Sequence, residues 1–145
     1  MPTRRVSEVI RNKPFVAISF HTSVREAACL MESYKTSAVM VVNDKKMLRG
    51  ICTERDIVHG LVAKGLDPDR VQVGNIMTGH PRTISADRPF GHALHLMYEG
   101  GFRHMPVVDI AGRPIGILSA HDALDSDALE FGRELERREE ITVIL

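Results

Sequence analysis

The chain repeats itself. Displaced by 66 positions with no gap, Ile18 falls on Ile84, Ser19 on Ser85, Ala27 on Ala93, Leu30 on Leu96 and Met31 on Met97. Val41 and Val42 fall on Val107 and Val108, while Gly50, Ile51 and Asp56 fall on Gly116, Ile117 and Asp122. Thr53 meets Ser119, which keeps the hydroxyl. Two copies are too few for a stacked solenoid, so they imply a pseudo-symmetric pair. The 145 residues suffice for one compact domain or two small halves sharing a core.

Each copy follows one plan. FVAISF (15–20) is extended, and Thr22 or Ser23 caps a helix through HTSVREAACLMESY with Glu26 in its first turn. Ala27, Ala28, Leu30, Met31 and Tyr34 form that helix's apolar stripe. SAVMVV (37–42) is short, β-branched and bounded by the turn NDKK, which predicts a buried strand. LRGICT (48–53) is a second strand, and ERDIVHGLVAKG is a helix that stops at Gly65. The second copy repeats the order with RTIS, ADRPFGHALHLMYEGG, HMPVVD, a turn at Ala111-Gly112-Arg113, PIGILS and a helix from about Ala120. The expected fold class is therefore α+β: two β-α-β-β-α repeats related by a pseudo-twofold axis, with small sheets flanked by helices. The expected division is 1–66 for the first repeat with its N-terminal segment, 67–125 for linker and second repeat, and 126–145 for a C-terminal helix and tail. In the linker, Asp67-Pro68-Asp69 is a turn and VGNIM is one bridging helical turn. The charged run ELERREE (134–140) reads as a solvated helix face, but Leu129, Phe131 and the apolar tail ITVIL suggest packing against a partner.

Charge removes some function classes. Lys+Arg and Asp+Glu both number 19, whereas duplex binding usually needs a basic surplus, so no nucleic-acid partner is expected. The chain has neither a signal-peptide core nor a membrane-length apolar run, and a cytoplasmic location without membrane attachment is expected. Cys29 and Cys52 lie in apolar stretches without paired spacing, which reads as buried thiols rather than a disulfide or metal site.

The repeated element G-I-x-[TS]-x-x-D lies at a strand-to-helix junction. Its glycine admits a ligand or another backbone at close range. Its hydroxyl sits near a helix N-cap, where free amides attract anions, and its aspartate can accept bonds from vicinal hydroxyls, as acidic residues do for ribose. Together they suit a ribose phosphate. The same Thr or Ser with an acidic residue three positions on is also a helix-capping signature.

GICTERDIV (50–58), SAVMVV (37–42), NIMT (75–78), FRHMPVVD (102–109) and GILSAHDAL (116–124) together resemble a tandem pair of cystathionine-β-synthase (CBS) domains, also called a Bateman module. The resemblance covers about residues 5–125. It implies a regulatory, energy-sensing module that binds adenosine nucleotides in two clefts between the two repeats, with the hydroxyl and aspartate near ribose and phosphate. Those roles carry onto Thr53 and Asp56 for one site, and onto Ser119 and Asp122 for the other. By the same resemblance the base lies against Ile18, Ala38 and Val39 in one site, and against Ile84, Met105 and Pro106 in the other. Arg55, Arg103, His104 and His121 would meet the phosphates, with His121 standing where the family has arginine. AMP, ADP, ATP, NAD(H), S-adenosylmethionine and a cyclic dinucleotide all stay open as ligand, and no cofactor is required. The resemblance further implies a disc-like homodimer, and a chain with no other domain would act on an effector protein in trans. A scaffolding homodimer with vestigial pockets is the alternative.

Catalysis and metal binding find less support. His92 and His95 share a helix face but lack further ligands for zinc. Cys52 aligns with Leu118 and reads as a core thiol. Glu54, Asp56 and His59 follow a helix surface with no substrate-activating partner, so no catalytic residues are assigned.

Overall fold

Pairing of the central antiparallel strands reproduces the duplication in register. A computed structural model describes residues 4–124 and Leu135. In the first repeat β1 (Ala17–Ser19) runs parallel to β2 (Ala38–Val42), and β2 pairs antiparallel with β3 (Leu48–Thr53). Ala38 faces Thr53, Val39 faces Cys52, and a bulge falls between Val41 and Val42. In the second repeat β5 (His104–Val108) pairs with β6 (Pro114–Ser119) in the same register, His104 facing Ser119 and Met105 facing Leu118. The bulge recurs between Val107 and Val108. Because each bulge sits at the same place before its turn, each strand pair aims its Gly-Ile-x-hydroxyl end the same way. The α+β architecture expected from the repeat is the one observed.

The copies differ at their first strands. Ile18 pairs with Val41 within β1, whereas RTIS forms no strand and retains only the bridge of Ile84 to Val107. The cause is Pro106. In the first copy the Met40 amide donates to the Val16 carbonyl at 2.9 Å, but at the corresponding position Pro106 has no N–H to donate. The Ile84 amide still donates to the Pro106 carbonyl at 3.1 Å, so pairing shrinks rather than vanishes.

The segment before each repeat packs on the other repeat. Helix α1 (Val6–Ile10) belongs in sequence to the first copy, yet the Val6 amide donates to Arg88 and the Ser7 amide to Ala86. The single helical turn Val73–Asn75, expected as a bridge, makes the mirror arrangement: the Val73 amide donates to Thr22 and the Gly74 amide to Phe20. Val6 and Val9 accordingly complete a core with Ile84, Phe90, Ala93, Met97, Met105, Val107 and Leu118. Val73 completes the core of Val16, Ala27, Met31, Val39, Val41 and Cys52. Val6 and Val73 are fully buried, and each contributes about 1.5–3 kcal/mol by leaving water. A third cluster of Ala38, Met40, Ile51 and Ile117 joins the two sheets. The linker adds a short strand that sequence reading had not anticipated, β4 (Thr78–Gly79), which pairs with Gly50 and Ile51 of β3.

Helix α2 (Val24–Tyr34) starts at Ser23, whose hydroxyl accepts from the Glu26 amide at 3.1 Å. Its buried face is Val24, Ala27 and Met31; Ala28 is exposed, and Tyr34 points out of the stripe expected for it. Cys29 is exposed too, contrary to the expectation of two buried thiols, because it lies off that narrow stripe. Helix α4 (Phe90–Gly100) buries Phe90, Ala93 and Met97 and ends at Gly101 with φ +70°, which suits glycine. The helix after Thr53 begins as α3 (Glu54–Ile57), widens into a π turn over Val58–Val62, and is followed by Gly65 at φ +66°. Apart from Leu135, the expected C-terminal helix and the ITVIL tail lie outside the described residues.

The two motif glycines are explained by this crossed packing. A Cβ at Gly50 would lie 2.8 Å from the Thr78 carbonyl and would overlap the Met77 side chain; one at Gly116 would lie 2.9 Å from Ile10. The close approach they permit is thus of another chain segment. Gly50→Ala is expected to destabilise the protein by about 1–3 kcal/mol through overpacking. Gly79→Ala, where a Cβ meets nothing, should cost well under that. Urea denaturation of both variants checks the contrast; equal losses would contradict the crossed packing as the reason for Gly50.

Candidate functional site

The repeated motif ends in two junctions that face a common cleft. At the first, Thr53 and Asp56 form a reciprocal capping box: the Thr53 amide donates to Asp56 Oδ2 at 3.0 Å, and the Asp56 amide donates to Thr53 Oγ1 at 3.2 Å. The linker adds Thr78, whose hydroxyl donates to Asp56 Oδ1 at 3.2 Å. Capping therefore fixes the carboxylate, and among the described residues its outer oxygen is reached by a hydroxyl from β4. A carboxylate so held can accept further hydroxyl donors.

The second junction is built alike and partnered differently. The Ser119 amide donates to Asp122 Oδ2 at 2.7 Å, and Ser119 Oγ accepts from the His121 amide at 3.1 Å. Here the segment preceding the first repeat supplies Lys13, whose Nζ lies 2.9 and 2.7 Å from the two Asp122 oxygens and also donates to the Ile117 carbonyl at 3.2 Å. The pair is partly buried, with side chains 31% and 13% exposed, so it is less screened than a surface pair.

Two cavities open between the repeats. The larger, about 1390 Å³, is lined by Thr53, Arg55 and Asp56 with Thr78, His80 and Arg82 from the linker, and by Phe102, Arg103 and His104 from the second repeat. The smaller, about 820 Å³, is lined by Lys13, Thr36 and Ser37 with Ile117, Ser119 and Asp122. Each cleft therefore combines one repeat's aspartate with the other repeat's strand entrance. Sequence reading expected clefts between the repeats but grouped each site's residues by repeat, and the crossed packing of the preceding segments is why each cleft draws on both.

Of the fourteen residues singled out from sequence, eight line a cavity: Thr53, Arg55, Asp56, Arg103, His104, Ser119, His121 and Asp122. The six apolar ones do not. Ala38, Val39, Ile84, Met105 and Pro106 are buried, and Ile18 packs against the core of its own repeat. Ile51 and Ile117 take the lining role assigned to those residues. The signal lay within the repeated motif: side chains two apart on a strand share a face, so Ile51 travels with Thr53 and Ile117 with Ser119. Lys13, Thr78, His80 and Arg82 were missed because they sit before a repeat in sequence but beside the other repeat in space.

His104 stands where the cavities adjoin and lines both, as do Ser37, Glu54, Ser119 and His121. Its Nε2 is 2.7 Å from the Ser37 hydroxyl. Burial holds the His104 pKa below its ordinary value; Lys13 and Arg103 push the same way, and Glu54 and Asp122 oppose. The Cys52 thiol, buried beside the site, is pushed up to about 12 by desolvation and by Asp56, so it is no nucleophile at neutral pH. His95 pairs with Glu99 at 3.0 Å on an exposed helix face. Among the described residues no group of three or more His, Cys, Asp or Glu is placed to hold a metal, and no helix is long and apolar enough to cross a membrane.

Two junctions of this kind, crossed between paired repeats, define a tandem-repeat α+β fold, and comparison with known proteins bears on it directly. The CBS domain profile matches residues 6–63 and 73–128, and the chain belongs to that family. The uncharacterized protein MK0525 of Methanopyrus kandleri is 36% identical over 82% of this chain and 60% of its own length. The chain spans only 18% and 19% of two other curated relatives, from a plant and a yeast. The CBS domain pair of protein MJ0100, in complex with 5′-methylthioadenosine and S-adenosyl-L-methionine, superposes with a TM-score of 0.79 at 25% identity, covering 89% of this chain and 99% of that one. CBS domain protein PAE2072 from Pyrobaculum aerophilum, complexed with AMP, gives 0.75 at 27% identity over 82% of this chain and 89% of that one.

The lowered His104 pKa carries a stability consequence. Between the ordinary value of 6.5 and the depressed folded value, the unfolded chain binds a proton that the folded chain does not. Its contribution to stability is therefore intact above about pH 6.5 and is lost as pH falls below it. Urea denaturation at pH 7.5 and pH 5.5 should show a larger loss at the lower pH for the native protein than for His104→Gln (both values chosen to bracket the free-histidine range of about 6.5). Identical pH dependence in the two proteins would contradict the burial of a neutral imidazole.

Proposed function

We propose that the chain is a non-catalytic regulatory module that binds adenosine ligands in the two clefts between its repeats and signals by a change of shape or of partner affinity. The observation that carries this reading is the pairing of equivalent carboxylates, Asp56 and Asp122, each held by its own junction at the wall of a separate cleft. A fixed carboxylate beside hydroxyl and amide groups suits a vicinal diol. The adenosine compounds held by MJ0100 and PAE2072 support the same ligand class, within which AMP, ADP, ATP and NAD(H) are the natural candidates. The module works in the cytoplasm, and its effector is a protein acted on in trans.

A homodimer fits the surface. Val58 and Val62, four residues apart on one helix, are 52% and 64% exposed, an apolar pair on a face that a second copy would cover. The scaffolding alternative draws on one observation: Lys13 already engages both oxygens of Asp122, as a self-filled pocket would require.

Calorimetry with AMP, ATP, NADH and adenosine separates the readings. Asp56→Ala is expected to remove one binding event and leave the other, Asp122→Ala the converse, and the double variant should bind nothing. Unchanged binding in the double variant would remove the diol assignment, and absence of binding in the native protein would favour the scaffold. By sedimentation velocity the native protein should be a dimer and Val58→Lys/Val62→Lys a monomer; a native monomer would contradict the paired assembly.

A further inference from the structure

The two clefts share one wall and differ in the other. With the common residues set aside, the Asp56 cleft is lined by Arg55, Arg82 and Arg103 against the single carboxylate of Asp56. Among the described residues none of these arginines is in an ion pair. The Asp122 cleft is lined by two cations and two anions, Lys13 with Asp122 and Lys35 with Glu32, and each forms an ion pair with its partner. The contrast is written in the sequence: at the 66-residue offset Arg55, Arg82 and Arg103 stand opposite His121, Val16 and Ser37 in turn.

We infer that the clefts take different ligands: the Asp56 cleft an adenosine ligand bearing a charged phosphate chain, the Asp122 cleft an adenine ribonucleoside of little net charge. The inference rests on the adenosine-binding reading and assigns its two sites. A guanidinium stays charged at every physiological pH and presents forked donors that match phosphate oxygens. Three of them in one cleft repel each other and concentrate a positive potential that a polyanion relieves. A phosphate entering the other cleft meets ammonium groups already neutralised and two carboxylates that repel it. A nucleoside diol faces no such barrier. It replaces Lys13 at one Asp122 oxygen, and the lysine keeps its bond to the Ile117 carbonyl.

The experiment titrates the full chain with ATP and with adenosine, separately and in sequence. ATP is expected to bind an adenosine-saturated protein as it binds the free protein. Its affinity should fall tenfold or more between about 50 and about 300 mM NaCl, while that of adenosine holds within about twofold. Arg55→Gln/Arg82→Gln/Arg103→Gln should lose about tenfold or more in ATP affinity and keep adenosine binding, which also reports that the variant is folded. Asp122→Asn should lose adenosine and keep ATP. Inorganic tripolyphosphate should compete with ATP alone. Mutual exclusion of ATP and adenosine, or equal salt dependence of the two, would overturn the inference while leaving adenosine binding standing. A native protein that binds neither would overturn the underlying reading with it.

Discussion

Neither repeat closes its own core. The first lacks a side chain that Val73 supplies from the linker, and the second lacks those that Val6 and Val9 supply from the N-terminal segment. This exchange is the constraint on which the remaining structure depends. It requires a residue without a side chain where each segment crosses the partner's strand, and Gly50 and Gly116 meet that need. It also carries Thr78 to Asp56 and Lys13 to Asp122, so the packing that completes the cores builds the clefts as well.

Packing and binding are therefore one problem here. Thr53 and Asp56 cap the helix after β3, and the cap orients the carboxylate. A capping box of this kind is worth about 0.5–2 kcal/mol to the helix. Because Asp56 Oδ2 is committed to the Thr53 amide, Oδ1 is the oxygen that faces a hydroxyl from elsewhere. Reading the motif as a cap or as a ligand site is then a false choice: the structural role places the group that the binding role uses.

Much of this was legible in the sequence, and what was missed has a common cause. The duplication predicted the strand register, because a strand pair with a fixed offset and a repeated turn has little freedom to slip. It also predicted both hydroxyl–aspartate junctions. The apolar lining was misplaced because Val39 and Met105 alternate towards their own helices, whereas Ile51 and Ile117 lie on the faces that meet between repeats. The loss of the second copy's first strand turned on a single missing N–H at Pro106, a pairing consequence that the run HMPVVD does not advertise. Composite clefts left no local signal at all: nothing near Lys13 in sequence points to Asp122, which is 109 residues away.

What differs between the copies is as instructive as what matches. Positions with a packing or capping duty agree: glycine at 50 and 116, a hydroxyl at 53 and 119, aspartate at 56 and 122. Other positions that line the cavities do not, as with Arg55 against His121 and Arg103 against Ser37. A lining residue that bears no load in the core is open to change without loss of the fold, since exposed substitutions usually shift stability by under about 0.5 kcal/mol. Two clefts that began as copies were in that sense free to acquire unlike charge on a scaffold that had to stay alike. In the wall that the clefts share, Ser37 and His104 meet at 2.7 Å across the two copies. That bond, which neither copy makes by itself, holds the common boundary while the opposite walls carry unlike charge.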